Sequence, residues 1–463
     1  MFKIIRDISK IPDLRQRILW TFSLLAIYRL GFFIYVPGID IGTFERSLEQ
    51  QGSGGPLEWL MYTRALTGGS LTPVVFSLGI MPYISASIIF SLMIKVFPRL
   101  EALSKEGEQG RRQINRYTRY ATVVLCLIQA IFLVSFWGSD PGDGRPITPA
   151  EYGFFVSLLQ VLTLTAGSLF LMWLGEKISE VGIGNGTSLI IMAGIVASMP
   201  GAFATLVLKV FNATADQRPF EVVTAGIFIA MYVGIVAAVV FVTKGQRRIP
   251  VQQQRSVKGR RVYGGQRQYM PIKILAAGVL PIIFAQSLMV IPSGAMRWVA
   301  YGGSSDSVFF RILGGMADAF NYNGFLYVIG YIALIFFFTF FWTGLMFNPV
   351  EIANNMKEYG SFIPGIRPGK RTAEYLERVI KRITLAGASF LSLIALAPQM
   401  ISRAMDLDLL VSTFLGGTGI LIVVGVALDL DDKIEAQLLV RQYEGFARGG
   451  ERPGPAGGGT VAS

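Results

Sequence analysis

The residues that most often carry out chemistry in proteins are nearly absent from this sequence. The chain has 463 residues but no histidine, and its one cysteine is Cys126. Histidine-based metal sites, a Ser-His-Asp triad and a disulfide within the chain are therefore excluded. The Gly-x-x-x-x-Gly-Lys-Ser/Thr loop that binds nucleotide phosphates is also missing. We expect a protein that is not an enzyme and holds neither a metal nor a cofactor.

Acidic side chains in the middle of apolar segments would indicate other classes of membrane protein. Secondary transporters place coupling groups near the bilayer midplane, and intramembrane proteases need a Ser/His dyad, paired aspartates or a metal. Here Glu176 lies near the end of one apolar segment and Asp429 near the end of the last. A transporter for a small solute remains the alternative interpretation, and an intramembrane enzyme is a weaker third one.

The elements that must position any functional residue are predicted to be membrane-spanning helices. Only 16% of the residues are charged and 52% are apolar, whereas soluble domains carry about 25% charged residues. A helix of about 20 apolar residues crosses the hydrocarbon layer, and lipid offers no other partner to its backbone groups. Ten windows of suitable length and composition are found at 19–36, 75–97, 118–138, 153–174, 187–207, 222–243, 273–293, 324–347, 380–400 and 411–429.

Basic residues are concentrated in alternate connections between these windows. The connections after the second, sixth and eighth windows are rich in lysine and arginine, and residues 243–273 include no acidic residue at all. By the positive-inside rule these connections lie in the cytoplasm. With ten spans, both termini then lie in the cytoplasm as well.

The second window contains a break. Gly79 and Pro82 interrupt its helical pattern, and proline removes a backbone donor and clashes with the preceding turn. In a membrane, such a break is tolerated where it faces protein or a water-filled cavity. The pattern predicts a short re-entrant piece before the break and a true span after it, but an isolated break also fits a kinked span.

Several motifs follow one another along the chain, and together they are far more specific than any one alone. The second window reads Gly-Ile-Met-Pro-Tyr-Ile-Ser-Ala-Ser-Ile-Ile from Gly79 onward. With it, the segments 106–112, 117–120, 172–176, 182–186, 245–249, 259–263, 347–349 and 362–369 resemble the SecY family, the channel subunits of the bacterial protein translocase. The resemblance runs from Arg29 to about Glu444. It implies an all-α polytopic membrane protein with ten transmembrane helices, arranged in two five-helix halves around a central hourglass pore with a short re-entrant plug helix.

The resemblance implies a protein-conducting channel without catalysis of its own. Such a channel passes unfolded secretory polypeptides across the bacterial inner membrane and releases membrane-protein spans laterally into lipid. The energy would come from the SecA motor with ATP or from the elongating ribosome. The implied partners are SecE and SecG, SecA, the ribosome through its RNA, signal sequences and nascent chains, and membrane lipid.

The resemblance and the windows together divide the chain into four parts. Residues 1–18 form a cytoplasmic N-terminal segment, and 19–221 form an N-terminal half with spans one to five and a plug at about 62–77. Residues 222–430 form a C-terminal half with spans six to ten and cytoplasmic loops at 243–273 and 348–382. The cytoplasmic tail is 431–463, and its Gly/Pro-rich end is expected to be disordered.

Positions that match the family predict a ring of side chains at the narrowest part of the pore. An aliphatic constriction can close by dewetting, and it offers a passing polypeptide no fixed hydrogen-bond partner. Thr187 departs from the aliphatic pattern, and its hydroxyl could hold a water and loosen the closure. The ring residues are Ile80, Ile84, Thr187, Ile191, Ile283 and Ile422. The plug residues that would cover the ring from outside are Gly68, Gly69, Ser70, Leu71, Thr72, Pro73 and Val74.

Two further sites are implied by the resemblance. Polar side chains at a lateral gate could bond across helices, although a serine can also bond back to its own helix. The gate residues are Ser85, Ser87, Ser91, Gln129, Gln286 and Ser287. Basic residues of the two loops would dock SecA or the ribosome, although topology alone also accounts for positive charge there. They are Arg247, Arg248, Arg255, Lys258, Arg260, Arg261 and Arg367.

Overall fold

The chain is mostly helical in a computed structural model. Its described residues are 12–44, 73–138, 148–149, 153–212, 218–253, 256–258, 261–263, 267–286, 288–289, 324–405 and 417–448. The helices are α1 (Pro12–Leu30), α2 (Met81–Val96), α3 (Pro98–Lys105), α4 (Glu108–Gly138), α5 (Gly153–Val181), α6 (Gly186–Asn212), α7 (Arg218–Lys244), α8 (Phe325–Met346), α9 (Pro349–Glu358), α10 (Lys370–Met405) and α11 (Gly417–Arg448). A short 3₁₀ turn, Gly31–Phe33, follows α1.

Five helical segments within the described residues are long and apolar enough to cross a membrane. They are Glu108–Ser135, Gly153–Val181, Val222–Lys244, Phe325–Glu358 and Lys370–Ala397. A sixth is added if α2 and α3, which meet at a bend of 100°, count as one broken span. Helices α1, α6 and α11 overlap the first, fifth and tenth predicted windows, and residues 280–286 are helical within the seventh. The prediction of a polytopic helical protein is thus confirmed in its coarse form, and the count of ten spans stays a prediction.

The connection at 243–273 contains a β ribbon, an element that the prediction of an all-α fold did not include. Strand β1 (Gln246–Gln253) pairs antiparallel with β4 (Arg267–Lys273), and β5 (Ser361–Phe362) pairs with the end of β1. Strands β2 (Ser256–Lys258) and β3 (Arg261–Tyr263) pair with each other between β1 and β4. The physical reason is that the backbone groups of such a long connection need partners, and strand pairing supplies them.

The helices pack as two groups that share one apolar core. In the first group α4 packs against α2 and α5, and α5 packs against α1 and α6. In the second, α10 packs against α8 and α11, and α11 packs against α7. Helix α6 contacts both α7 and α11, so it joins the groups. The core is continuous from Leu174 of α5 to Ile335 of α8 and Leu391 of α10.

Helices α5 and α6 approach each other closely through two glycines. A Cβ atom placed on Gly186 would collide with the carbonyl oxygen of Gly175 and would lie 2.8 Å from the Cβ of Ile178. Small residues at such positions let membrane helices come within van der Waals distance of each other's backbone. Gly175 also lies beside two of the predicted ring residues, Thr187 and Ile80.

We expect Gly186→Ala to destabilise the protein, because the added methyl group meets backbone atoms that cannot turn away. Overpacking of this kind costs about 1–3 kcal/mol. Thermal unfolding of the purified protein in detergent should show a lower midpoint than wild type. The matched control is Gly226→Ala in α7, where an added Cβ meets no atom within 4 Å. Equal midpoints for the two variants would contradict the steric argument.

Candidate functional site

The break in the second window lies where the sequence predicted it. Gly79 has a φ of 61°, a conformation that side chains with a Cβ rarely adopt, and its N–H donates to the carbonyl of Phe76 at 2.8 Å. Helix α2 then begins at Met81 with Pro82 in its first turn. The N–H groups of a first turn have no acceptor within the helix, so proline, which lacks an N–H, costs no hydrogen bond there. The break therefore sets Ile80 at the N-cap position of a new helix.

Five of the six predicted ring residues are buried isoleucines of one continuous apolar cluster. They come from four separate parts of the chain: the start of α2, α6, the helical residues 280–286 and α11. The first and the last of them, at positions 80 and 422, are 342 residues apart in the sequence. They are therefore brought into one cluster by the fold alone. The five are Ile80, Ile84, Ile191, Ile283 and Ile422.

Thr187 meets this cluster with its methyl group. Its hydroxyl donates to the side-chain oxygen of Asn185 at 2.6 Å, and the same oxygen accepts the N–H of Thr187 at 3.1 Å as a helix cap. Its Cγ2 methyl and the Cδ1 methyl of Ile80 would lie 3.2 Å and 3.4 Å from a Cβ on Gly175. The hydroxyl that could have held a water is therefore bonded to Asn185, and the apolar side of Thr187 lies near Ile80.

Two of the predicted plug residues are fixed in place. Val74 forms an isolated β-bridge with Tyr35, and the carbonyl of Pro73 accepts the N–H of Val36 at 3.0 Å. The N–H of Val74 also donates to the hydroxyl of Ser77 at 2.9 Å, and both Pro73 and Val74 are buried. The other five residues, 68–72, lie outside the described part of the chain. Pro73 and Val74 are therefore hydrogen-bonded to the residues that follow α1 and to Ser77 just before α2.

The predicted gate residues differ in how their polar groups are used. Ser91 donates to the carbonyl of Ser87 at 2.7 Å, so its hydroxyl bonds within its own helix. Ser85 is buried, and Ser87 and Gln129 are half-buried. Gln286 is buried, and its side-chain nitrogen has no hydrogen-bond partner in the described structure. Ser287 lies outside the described residues.

The two basic loops fold as one body, which we call the ribbon unit. It consists of β1, β4, β5, α9 and the first turns of α10. Its core contains Ile249 and Ile272 from the ribbon, Ile363 beside β5, and Leu376, Val379 and Ile380 from α10. The sequence predicted both loops as docking sites but gave no sign that they share a core, because their apolar residues are about 100 positions apart.

Three of the predicted docking arginines have described side chains, and all three are exposed on the ribbon unit. Arg247 and Arg248 lie on β1, and Arg367 lies in the turn between β5 and α10. Gly365 and Gly369 hold this turn with φ values of 84° and 98°, and the Thr372 hydroxyl donates to the carbonyl of Arg367 at 2.9 Å. Arg255 and Arg260 lie outside the described residues, and the side chains of Lys258 and Arg261 are not described.

The acidic residues that kept a transporter in consideration both have basic partners. Glu176 of α5 binds Arg119 of α4 with two contacts, 3.0 Å from Nε to Oε1 and 2.7 Å from a terminal guanidinium nitrogen to Oε2. Asp429 pairs with Lys433 at 2.7 Å. The first pair joins residues 57 positions apart, so spacing could not reveal it. The second has the i, i+4 spacing of a helix-surface pair.

Arg29 has an aromatic partner among the described residues. Its guanidinium carbon lies 5.3 Å from the centre of the Phe32 ring, within the range of a cation–π contact. Arg29 is exposed on the surface of α1, in its last turn, where a cation also interacts favourably with the helix dipole. The separation of three residues is the signal that sequence reasoning could have used.

Comparisons with known proteins agree with one another. The profile of the SecY family matches residues 74–430. The chain is 42% identical to protein translocase subunit SecY of Streptomyces scabiei, over 95% of this chain and 98% of the relative. It is 42% identical to that of Thermus thermophilus, over 98% and 99% of the two chains. For Escherichia coli K12 the identity is 41%, over 93% of each chain.

Solved structures support the same fold. A structure described as that of a protein-conducting channel has a TM-score of 0.61 at 18% identity, covering 91% of this chain and 92% of the other. A SecY structure described in terms of its plug domain has a TM-score of 0.58 at 19% identity, with the same coverage. At these identities the two likenesses concern the fold alone.

Proposed function

The chain belongs to the SecY family, and on that basis we propose that it is the protein-conducting channel subunit of a bacterial translocase. It passes unfolded secretory polypeptides across the inner membrane and releases hydrophobic segments laterally into lipid. The observation that carries this proposal is identity of 41–42% to translocase subunits over nearly their whole length. The solute-transporter alternative lacks support, since Glu176 and Asp429 both have basic partners.

The proposed pore lies between the two helix groups, each supplying five of ten spans. The N-terminal half is 19–221 and the C-terminal half is 222–430. In support, ring isoleucines come from both groups and are buried in one apolar cluster. In the resting channel they would exclude water, and a polypeptide would displace them without meeting a fixed hydrogen-bond partner. Thr187 contributes its methyl group to this ring, and its hydroxyl stays with Asn185.

A plug that covers the ring from outside would end earlier in the sequence than the predicted range of about 62–77. The backbone bonds of Pro73 and Val74 to the residues after α1 argue that the movable segment ends before Pro73. The lateral gate would open between the second and seventh spans. The buried side-chain nitrogen of Gln286 has no hydrogen-bond partner in the described structure, which supports a polar position there that could bond to a signal sequence.

The ribbon unit is the proposed docking surface for SecA or the ribosome. Its exposed arginines and the absence of acidic residues from 243–273 favour a polyanionic or acidic partner. The ribbon unit and both termini would then lie in the cytoplasm, as the positive-inside rule predicts. SecE and SecG would complete the channel in the membrane.

Site-specific crosslinking tests the proposed path of the polypeptide. In a Cys126→Ser background, a single cysteine at Ile283 should crosslink to a secretory precursor that is trapped part-way across the membrane. The crosslink should require SecA and ATP, or a translating ribosome. A cysteine at Ser304, in the predicted outer connection, is the control. A folded complex that gives no crosslink at position 283 would show that the ring assignment is wrong and would reopen the transporter alternative.

A further inference from the structure

Phe76 packs between two helices just before the second span begins. Its ring is buried and lies 6.2 Å from that of Tyr28 in α1 and 6.0 Å from that of Phe170 in α5, stacked in both cases. The Phe32 ring meets it edge-on at 6.1 Å. Three aromatic rings therefore surround the ring of Phe76, an arrangement that fixes its geometry as well as burying its surface.

Two glycines allow this packing. A Cβ atom on Gly31 would collide with the ring of Phe76, and one on Gly167 of α5 would collide with the carbonyl oxygen of Val75. The backbone of the same segment is also held, because the N–H of Val75 donates to the carbonyl of Ile34 at 3.0 Å. The segment before α2 is therefore enclosed by the end of α1 and the residues that follow it on one side and by α5 on the other, and neither glycine position has room for a methyl group.

The position of Ile80 depends on this enclosed segment. Ile80 precedes the first residue of α2, and the chain reaches it from Phe76 through the turn at Gly79. A displacement of the Phe76 ring therefore passes to Ile80 through three intervening residues that belong to no helix or strand. Well-packed interiors transmit such displacements because they contain few voids to absorb them.

We propose that the contact between Phe76 and Gly31 positions Ile80 in the constriction and so keeps the resting channel closed to ions. Phe76 is then a positioning residue, which acts through Ile80 and does not itself touch the translocating polypeptide. The inference rests on the proposed function, since it takes the ring as the closed constriction. Under this proposal, closure depends on more than the ring residues. It also requires a residue without a side chain at the position of the first span that faces Phe76.

The test is the ion conductance of the resting channel, measured in planar bilayers with the full-length chain in complex with its partner subunits. Gly31→Ala should raise the conductance roughly tenfold or more, the scale by which overpacking shifts a two-state equilibrium. Phe76→Leu removes the Cε2 and Cζ atoms, the two ring atoms that lie closest to the new methyl group. The double variant Gly31→Ala/Phe76→Leu should therefore conduct much less than Gly31→Ala alone.

Two control variants distinguish a failure of the proposed role of Phe76 from a failure of the ring assignment. Ile80→Ser reports on the ring itself, and Gly344→Ala in α8 adds a methyl group where no atom lies within 4 Å. If Ile80→Ser conducts and Gly31→Ala does not, the positioning role of Phe76 is wrong. If the double variant conducts as much as Gly31→Ala, the effect is general destabilisation and the proposal also fails. If Ile80→Ser does not conduct, the ring assignment fails instead.

A variant without overpacking covers the case in which Gly31→Ala does not fold. Phe76→Ala removes the ring and introduces no collision, so it loosens the same contact from the other side. We expect raised resting conductance for this variant, together with normal assembly with the partner subunits. Wild-type conductance in an assembled Phe76→Ala complex would overturn the proposal.

Discussion

Arg367→Glu should abolish most SecA-driven translocation while the channel remains folded and inserted in the membrane. Arg367 is exposed in a turn that two glycines with positive φ hold in one shape, and no ion pair joins it to any other described residue. Its guanidinium is therefore available to a partner. Reversing its charge places like charges together in an interface, which costs several kcal/mol, or more than tenfold in affinity.

The measurement is the initial rate of precursor transport into membrane vesicles that carry equal amounts of each variant. The control is Arg112→Glu, which makes the same change of charge on an exposed side chain of α4, outside the ribbon unit, and which also removes the exposed ion pair of Arg112 with Glu108. Transport by Arg367→Glu at the rate of Arg112→Glu would remove Arg367 from the docking surface. Thr372 bonds to the main-chain oxygen of Arg367 and not to its side chain. We therefore expect the substitution to leave the turn itself intact.

Deletion of residues 62–72 should leave a folded channel that conducts ions at rest. The segment contains most of the predicted plug, and the deletion stops short of Pro73, whose carbonyl holds the residues after α1. Without the plug, closure depends on the isoleucine ring alone, and a hydrophobic constriction is sensitive to small changes in width. We expect a large increase in resting conductance with little change in thermal stability.

Replacement of 62–72 by a Gly/Ser linker of equal length separates loss of the plug from shortening of the connection. Both variants should conduct ions, since neither contains the residues that would cover the ring. A deletion that extends through Ser77 should instead impair folding, because it removes the buried side chains of Val74 and Phe76. Unchanged conductance in the 62–72 deletion would count against a plug in this segment.

The sequence predicted the elements of this protein better than the contacts between them. Apolar windows near 20 residues long predicted the long helices, because the bilayer imposes the same length on every span. The break at Gly79 and Pro82 was also predicted, since both residues act on the backbone locally. The pairing of Arg119 with Glu176 was not, because it depends on how α4 lies against α5.

In the candidate site, too, the sequence predicted positions along the chain but not the contacts between them. The ring positions came from motifs that resemble a family, and five of the six are buried in one cluster. Nothing in the sequence indicated that Thr187 uses its hydroxyl for a helix cap, or that β1 and α10 share a core. Both depend on residues brought together by folding, and periodicity along the chain carries no information about them.

The shared core of the ribbon unit has a consequence for how such channels can diversify. Ile249 on β1 and Leu376 on α10 are packed in one cluster, although they belong to different connections of the chain. A chimera that takes only one of these connections from a distant relative would join two half-cores that were never selected to fit each other. The two connections should therefore be inherited, and exchanged between homologues in the laboratory, as a pair.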